Sequence, residues 1–187
     1  WSERIVPRDA LESIVARVES RELVVAGASA ADALRIAAWR PRFSTEVDER
    51  TIPHELDWLR SAVHLDKGCY RGQETVAKVH NLGHPPRRLV MLHLDGSEGA
   101  HPVRGAAVSL GEKEVGTVTS TALHYELGPI ALAVVKRSTA PDETLTVDAD
   151  GTLVAAAQEV VVPPGAGAEA QIPHLPRLGA VTRRPRA

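Results

Sequence analysis

Apolar positions recur along this chain at two different periods, and the change falls near Pro86. Before it, residues 4–6 read as a short strand. Pro7 and Arg8 then lead to Asp9, an N-cap with Glu12 three residues on. Leu11, Ile14, Val15 and Val18 follow on one helical face. Residues 23–25 form a second short strand, stopped by Gly27, and Ser29 with Asp32 caps a second helix running to about Trp39. From Arg40 the periodicity fades. Pro41 and Pro53 flank a charged loop at 46–50, and residues 54–62 carry a short helix. Residues 67–72 make a turn, with one or two helical turns over 73–79. The run from Asn81 to Pro86 is rich in turn formers and ends the first region.

After Pro86 the pattern alternates. Residues 89–94, 106–110, 114–119, 130–136, 144–147 and 154–162 are strand candidates, separated at short intervals by Gly, Pro and Asp. Several short strands with such turns predict a small antiparallel barrel or sandwich. From Pro163 onward Pro, Gly, Ala and Arg dominate, which predicts a flexible tail. The fold class is α+β. Residues 1–86 hold helices and short strands, 87–162 an antiparallel β-barrel, and 163–187 the tail.

Composition narrows the function classes. Of 187 residues, 43% are hydrophobic but only 3% aromatic, so the core rests on Ala, Val, Leu and Ile. A net charge of -2 gives no basic field for nucleic acid, and no apolar run is long enough to span a bilayer. Cys69 is the one cysteine, so no internal disulfide forms, which suits a reducing cytoplasm. One thiol cannot build a metal or cluster site alone. The chain opens on Trp1, and we expect further sequence upstream.

The sharpest local chemistry is Lys67-Gly68-Cys69-Tyr70-Arg71-Gly72-Gln73-Glu74. It sets a thiol between two glycines, two residues after a lysine and just before a helix. Cationic neighbours and a helix N-terminus favour thiolate. The plain alternative makes Cys69 a small buried hydrophobe and the glycines turn residues. His80 and His84 are four apart, but Gly83 and Pro85 interrupt the helix that a metal pair would need, so they read as a loop pair. His54-Glu55 begins a zinc-protease pattern, but Trp58 stands where its second histidine belongs. Gly27-Ala28-Ser29 lacks the second glycine of a nucleophile elbow. The Arg87-Arg88 pair and the basic run at 182–186 read as solvated surface.

The octapeptide resembles the K-G-C-[FY]-x-G-Q-E signature of the YgfZ/CAF17 folate-binding group, relatives of the aminomethyltransferases. Residues 48–55, Asp-Glu-Arg-Thr-Ile-Pro-His-Glu, resemble the D-E-R-T-x-P-x-E segment that precedes it there. Leu34-Arg35-Ile36 resembles a superfamily helix. Gly116-Thr117-Val118-Thr119-Ser120, together with residues 127–133, resembles the strands of the superfamily's terminal barrel.

The resemblance implies the end of a split α/β domain followed by that barrel, within a three-part molecule around a tetrahydrofolate pocket. It implies that an N-terminal part, with the acidic loop that holds the pterin, lies before Trp1. It implies an accessory factor supporting iron–sulfur cluster assembly or repair, with iron–sulfur enzymes or assembly factors as partners. Lys67 and Cys69 are then the chemical residues, supported by Gly68, Tyr70, Gly72, Gln73 and Glu74. Tyr70 packs the loop, and Gln73 and Glu74 cap backbone donors or position a partner group. Arg35 is a folate contact or, on the plain reading, a solvated helix residue. Two alternatives stay open: a folate-dependent aminomethyl or one-carbon transferase, and a non-catalytic interaction module.

Overall fold

The alternation after Pro86 folds into six strands, and the computed structural model describes residues 4–97 and 99–169. They are β1 (Arg87–Leu94), β2 (Ala107–Leu110), β3 (Lys113–His124), β4 (Gly128–Lys136), β5 (Leu145–Ala149) and β6 (Thr152–Val160). They close an antiparallel barrel in the order β1-β4-β3-β2-β5-β6. Closure leaves no free sheet edge, which suits strands this short.

Two apolar layers share these strands. Val90, Leu92, Leu94, Val108, Val118, Ala131, Ala133, Val135, Leu145, Val147, Val154 and Ala156 fill the barrel. Leu89, Met91, Ile130, Leu132 and Val134 point the other way and bury Ile36, Leu56 and Val162. β1 and β4 are therefore covered on both faces, which explains their nearly unbroken apolar runs. The barrel's interior is small because its aliphatic filling is mostly Val and Ala. Arg88 has the inward parity of Val90 and Leu92 and is wholly buried. Its Nη2 donates to the Thr139 carbonyl at 2.9 Å and to Gln158 Oε1 at 3.0 Å. Gln158 Nε2 in turn donates to the carbonyls of Ala140 and Glu143, so this pair ties the β4–β5 connection to the strands.

β3 pairs with β4 as far as His124, beyond the expected 114–119, and carries a bulge. Val118 pairs with inward Ala133 and Ser120 with outward Leu132, which leaves Thr119 over. Without the extra residue, Ser120 would share Val118's inward face. The bulge turns it toward the helices. Gly116, two residues earlier, sits where a Cβ would lie 2.4 Å from the Val134 carbonyl oxygen.

The first region contains α1 (Leu11–Glu19), α2 (Ala28–Ala37), α3 (Phe43–Glu46), α4 (Leu59–Ala62) and α5 (Gln73–Leu82), with 3-10 turns at Arg8–Ala10 and Pro53–Leu56. α2 packs on β3 and β4, and the Pro53–Leu56 turn packs on β1.

Several local expectations fail here. Residues 4–6 and 23–25 form no strand, and Ile5, Val24 and Val25 stand exposed, because β-propensity alone supplies no pairing partner. Asp9 lies inside the 3-10 turn, and neither it nor Ser29 caps a helix; the N-caps are Ala10 and Gly27. The helix expected over 54–62 is split at Asp57, whose φ is 58°. α5 runs on to Leu82, so His80 is helical and not part of a loop. The beginning of the expected tail is ordered. Ala168 N donates to the Val79 carbonyl and Glu169 N to the His80 carbonyl, which satisfies acceptors at the end of α5. Gly167, with φ 90°, passes so near that a Cβ would be 2.4 Å from the Gly83 oxygen. The basic run at 182–186 lies outside the described residues.

Candidate functional site

The acidic-basic loop at 48–55 folds around one arginine. Arg87, the first residue of β1, donates Nε to Glu55 Oε1 at 3.0 Å and Nη2 to Glu55 Oε2 at 2.8 Å. Its Nη1 and Nη2 reach the two Asp48 oxygens at 2.5 and 3.0 Å. Asp48 also accepts from the Arg50 N–H and the Thr51 hydroxyl. The Arg87 guanidinium holds the Asp48 carboxyl well below the usual carboxylate range, with partial burial opposing it. The two carboxylates hold the Arg87 pKa above its ordinary value. This segment is a bidentate clamp between loop and barrel. It also corrects the reading of Arg87-Arg88 as solvated surface, since Arg88 is buried and Arg87 is clamped.

Arg35 has a similar duty. Its side chain is buried, and its Nη2 donates to Ser120 Oγ at 2.9 Å, on the residue the bulge turned outward. Nη1 donates to the Arg40 carbonyl at 2.9 Å and faces Glu46 at 3.4 Å, while Nε meets Asp32 at 3.2 Å. Ser120 also donates to Glu46. Four of the five guanidinium N–H groups thus have protein partners. Arg35 is not a solvated helix residue; it ties α2 and α3 to β3.

The octapeptide is different. Lys67, Gly68, Cys69, Arg71, Gly72 and Glu74 are all exposed, and only Tyr70 and Gln73 are half-covered. Exposure of Cys69 overturns its reading as a small core residue. The thiol lies on the loop between α4 and α5. Gly72, with φ 84°, is the N-cap of α5, a backbone state that glycine adopts freely. Having no side chain, it cannot cap through one, and the Gly72 carbonyl receives the Val76 N–H at 3.1 Å. Lys67 Nζ lies 5.6 Å from the centre of the Tyr70 ring, a cation–π contact that gives the loop its shape. Lys67, Tyr70, His64, Val63 and Ala62 line a small cavity of about 110 Å³.

Two features escaped sequence reasoning. His54 lies against His80 with ring centres 6.3 Å apart, so the histidines that meet are 26 residues apart in the chain and not four. Burial pushes the His54 imidazole below its ordinary pKa, and His80 adds to the shift. A cleft of about 540 Å³ opens between the end of α2 and the Pro53–Leu56 turn, lined by Trp39, Arg40, Pro41, Trp58, Arg60 and Asp57 among others. Trp39 sits at φ 54° where α2 ends, and the Arg40 N–H reaches back to the Arg35 carbonyl. This is a helix stop that ordinarily takes glycine. The signal in the sequence was a tryptophan at a helix end, where the pattern marked only the limit of the helix.

Among the described residues no three His, Cys, Asp or Glu side chains gather as a metal site, and no helix is long and apolar enough to cross a membrane.

Residues 87–164 match the glycine cleavage T-protein C-terminal barrel domain. An aminomethyltransferase of Rippkaea orientalis is 42% identical over 117 residues, 60% of this chain and 30% of its own length. One from a Thermotoga species is 35% identical over 133 residues, 70% of this chain and 34% of its own. A putative chloroplastic transferase of Arabidopsis thaliana is 32% identical over 130 residues, 66% of this chain and 28% of its own. The crystal structure of the glycine cleavage system aminomethyltransferase T from Bartonella henselae superposes with a TM-score of 0.68 at 19% identity, over 85% of this chain and 45% of that one, a likeness of fold. The chain spans about a third of the length of the curated relatives it matches. Their alignments are longer than the barrel, so the likeness reaches into the residues before it. The barrel of this chain matches the glycine cleavage T-protein C-terminal barrel domain, and the chain is similar to aminomethyltransferases.

Proposed function

We propose that this chain is part of a tetrahydrofolate-binding factor that supports iron–sulfur cluster assembly or repair through the segment from Lys67 to Glu74. One observation carries the reading. Residues 48–55, Arg35 and the Gly116–Ser120 strand all have an internal structural duty, whereas the cysteine segment is exposed and holds nothing else in place. An exposed thiol on a loop fixed at both ends by helices is placed to meet a partner. Cys69 then acts as nucleophile, transient ligand or redox handle, and Lys67 and Glu74 supply charge beside it. The clients are iron–sulfur enzymes or their assembly factors, in the cytoplasm.

For the folate, Arg35 does not fit as a contact, since its guanidinium is taken. The cleft fits better in kind. Trp39 and Trp58 offer flat apolar faces, and Arg40 offers a cation to a planar ligand with carboxylates, while Arg60 is paired with Asp57. Residues outside this chain complete the pocket, because the relatives are about twice as long and a small-molecule site buries most of its ligand. When bound, folate supplies one-carbon chemistry, and the protein supplies orientation and charge.

The names of the relatives favour a second reading, folate-dependent aminomethyl transfer. The test is a Cys69→Ser strain assayed for iron–sulfur enzyme activity beside folate titration of the purified protein. Lost cluster-enzyme activity with folate binding kept supports the first reading. Wild-type cluster-enzyme activity together with aminomethyl transfer supports the second.

A further inference from the structure

We propose that His54 and His80 form a two-coordinate site for a monovalent d10 cation, copper(I). This site is independent of the folate and cluster readings.

His54 sits in the Pro53–Leu56 turn with 3% of its surface exposed. Both of its ring nitrogens are buried and have no hydrogen-bond partner among the described residues, and the same holds for His80 Nδ1. A neutral imidazole carries one donor and one lone pair, and buried polar atoms are ordinarily satisfied. Here two imidazoles from different elements are packed together with lone pairs that no protein group uses.

Distance and donor count select the ion. With metal–nitrogen bonds of about 2.0 Å and ring centres about 1.1 Å further out, two imidazoles on opposite sides of a metal have centres about 6.2 Å apart. At a tetrahedral angle the centres would be about 5 Å apart. The observed separation is 6.3 Å with the rings tilted by 41°, a spacing compatible with the straight arrangement. Zinc in a closed site takes four ligands, and no third His, Cys, Asp or Glu joins this group among the described residues. Copper(I) is content with two ligands, and imidazole suits copper. His84 stays outside the pair, with Nδ1 bonded to the Ala166 carbonyl at 2.9 Å.

The test uses the full chain carrying Cys69→Ser, which removes the competing exposed thiol. Silver(I), a redox-stable d10 ion, and copper(I) under anaerobic conditions are titrated while the ring nitrogens of the eight histidines are followed by 15N NMR. One equivalent should shift one nitrogen on each of two rings, His54 and His80. Affinity should fall at least tenfold in His54→Gln and in His80→Gln, and zinc should not compete. If His54→Gln fails to fold, the wild-type ring shifts and His80→Gln decide. Shifts on other histidines, affinity unchanged in His80→Gln, absence of binding, or zinc bound as tightly through the same pair would each overturn the site.

Discussion

Arg87 grips Glu55 through two parallel hydrogen bonds, 3.0 and 2.8 Å long, although the Glu55 side chain is almost wholly buried. The pair joins the Pro53–Leu56 turn of the helical region to the first residue of the barrel, next to the covered face of β1. Removing one partner strands the other. Arg87→Met should destabilise the protein by about 3–5 kcal/mol, because a buried carboxylate loses its counter-charge. The double replacement Arg87→Met/Glu55→Gln should recover part of that loss. Urea unfolding of the four proteins in a double-mutant cycle measures the coupling.

Asp48, on the same arginine, makes stability depend on acid. Its folded pKa is depressed by Arg87, so the unfolded chain binds more protons than the folded one as pH falls below the ordinary carboxylate value. This contribution is fully present above about pH 4, the unfolded value, and declines as pH drops further toward the folded value. In Asp48→Asn the slope of stability against pH below about 4 should be shallower, while stability at pH 7 is lower than wild type. Thermal unfolding between pH 2 and 7 reads both. An unchanged acid slope would mean that other carboxylates carry the dependence.

How much of this was legible in the residues divides along the chain. All six strands were readable, because the apolar runs at 89–94, 130–136 and 154–162, bounded by turn formers, are set by the same burial that closes the barrel. The bulge at Thr119 was not, since one extra residue leaves an apolar-polar pattern that still reads as a strand. The segments at 4–6 and 23–25 misled because Ile and Val raise strand propensity whether or not a partner is present. The exposed octapeptide was legible as a motif. The duties of Arg35 and Arg87 were not, because their partners are 85 and 32–39 residues away. The cleft and the His54–His80 pair depend on tertiary approach and left no local period to find.

Two glycines separate packing from chemistry. Gly116→Ala places a Cβ against the Val134 carbonyl and should cost about 1–3 kcal/mol or more through forced strand movement. Gly68 has open space around it and no left-handed φ. Gly68→Ala should therefore leave stability within about 0.5 kcal/mol of wild type. Melting temperatures of the two variants, compared directly, check the contrast.

Trp39 holds a left-handed backbone that a side chain disfavours by roughly 1–2 kcal/mol, and its indole borders the cleft. Trp39→Gly should relieve that strain and stabilise the fold by up to about 1 kcal/mol, less whatever indole burial is lost. If the cleft takes a planar ligand, the same change should weaken folate binding by the full-length protein. Stability and binding would then move in opposite directions, a pairing that simple damage to the fold cannot produce. Calorimetric titration alongside urea unfolding distinguishes the two, and a variant that loses stability would show that the indole anchors the loop.

Cys69 and Arg35 give the sharpest test of which residues are chemical. Cys69 is exposed, so Cys69→Ser removes no core contact and should change stability by less than about 0.5 kcal/mol. The native thiol should react fully with an aromatic disulfide reagent without denaturant. Arg35→Ala should behave in the opposite way. It strands buried Glu46 and Ser120 and should cost about 3–5 kcal/mol. In cells, Cys69→Ser at wild-type protein level should lower iron–sulfur enzyme activity. Arg35→Ala should lower it only as far as the protein's abundance falls. Immunoblots and cluster-enzyme assays on the same extracts separate a lost reaction from a lost protein. Normal enzyme activity in the Cys69→Ser strain would remove the thiol from the mechanism. Full activity per molecule in Arg35→Ala would confirm that arginine as part of the scaffold.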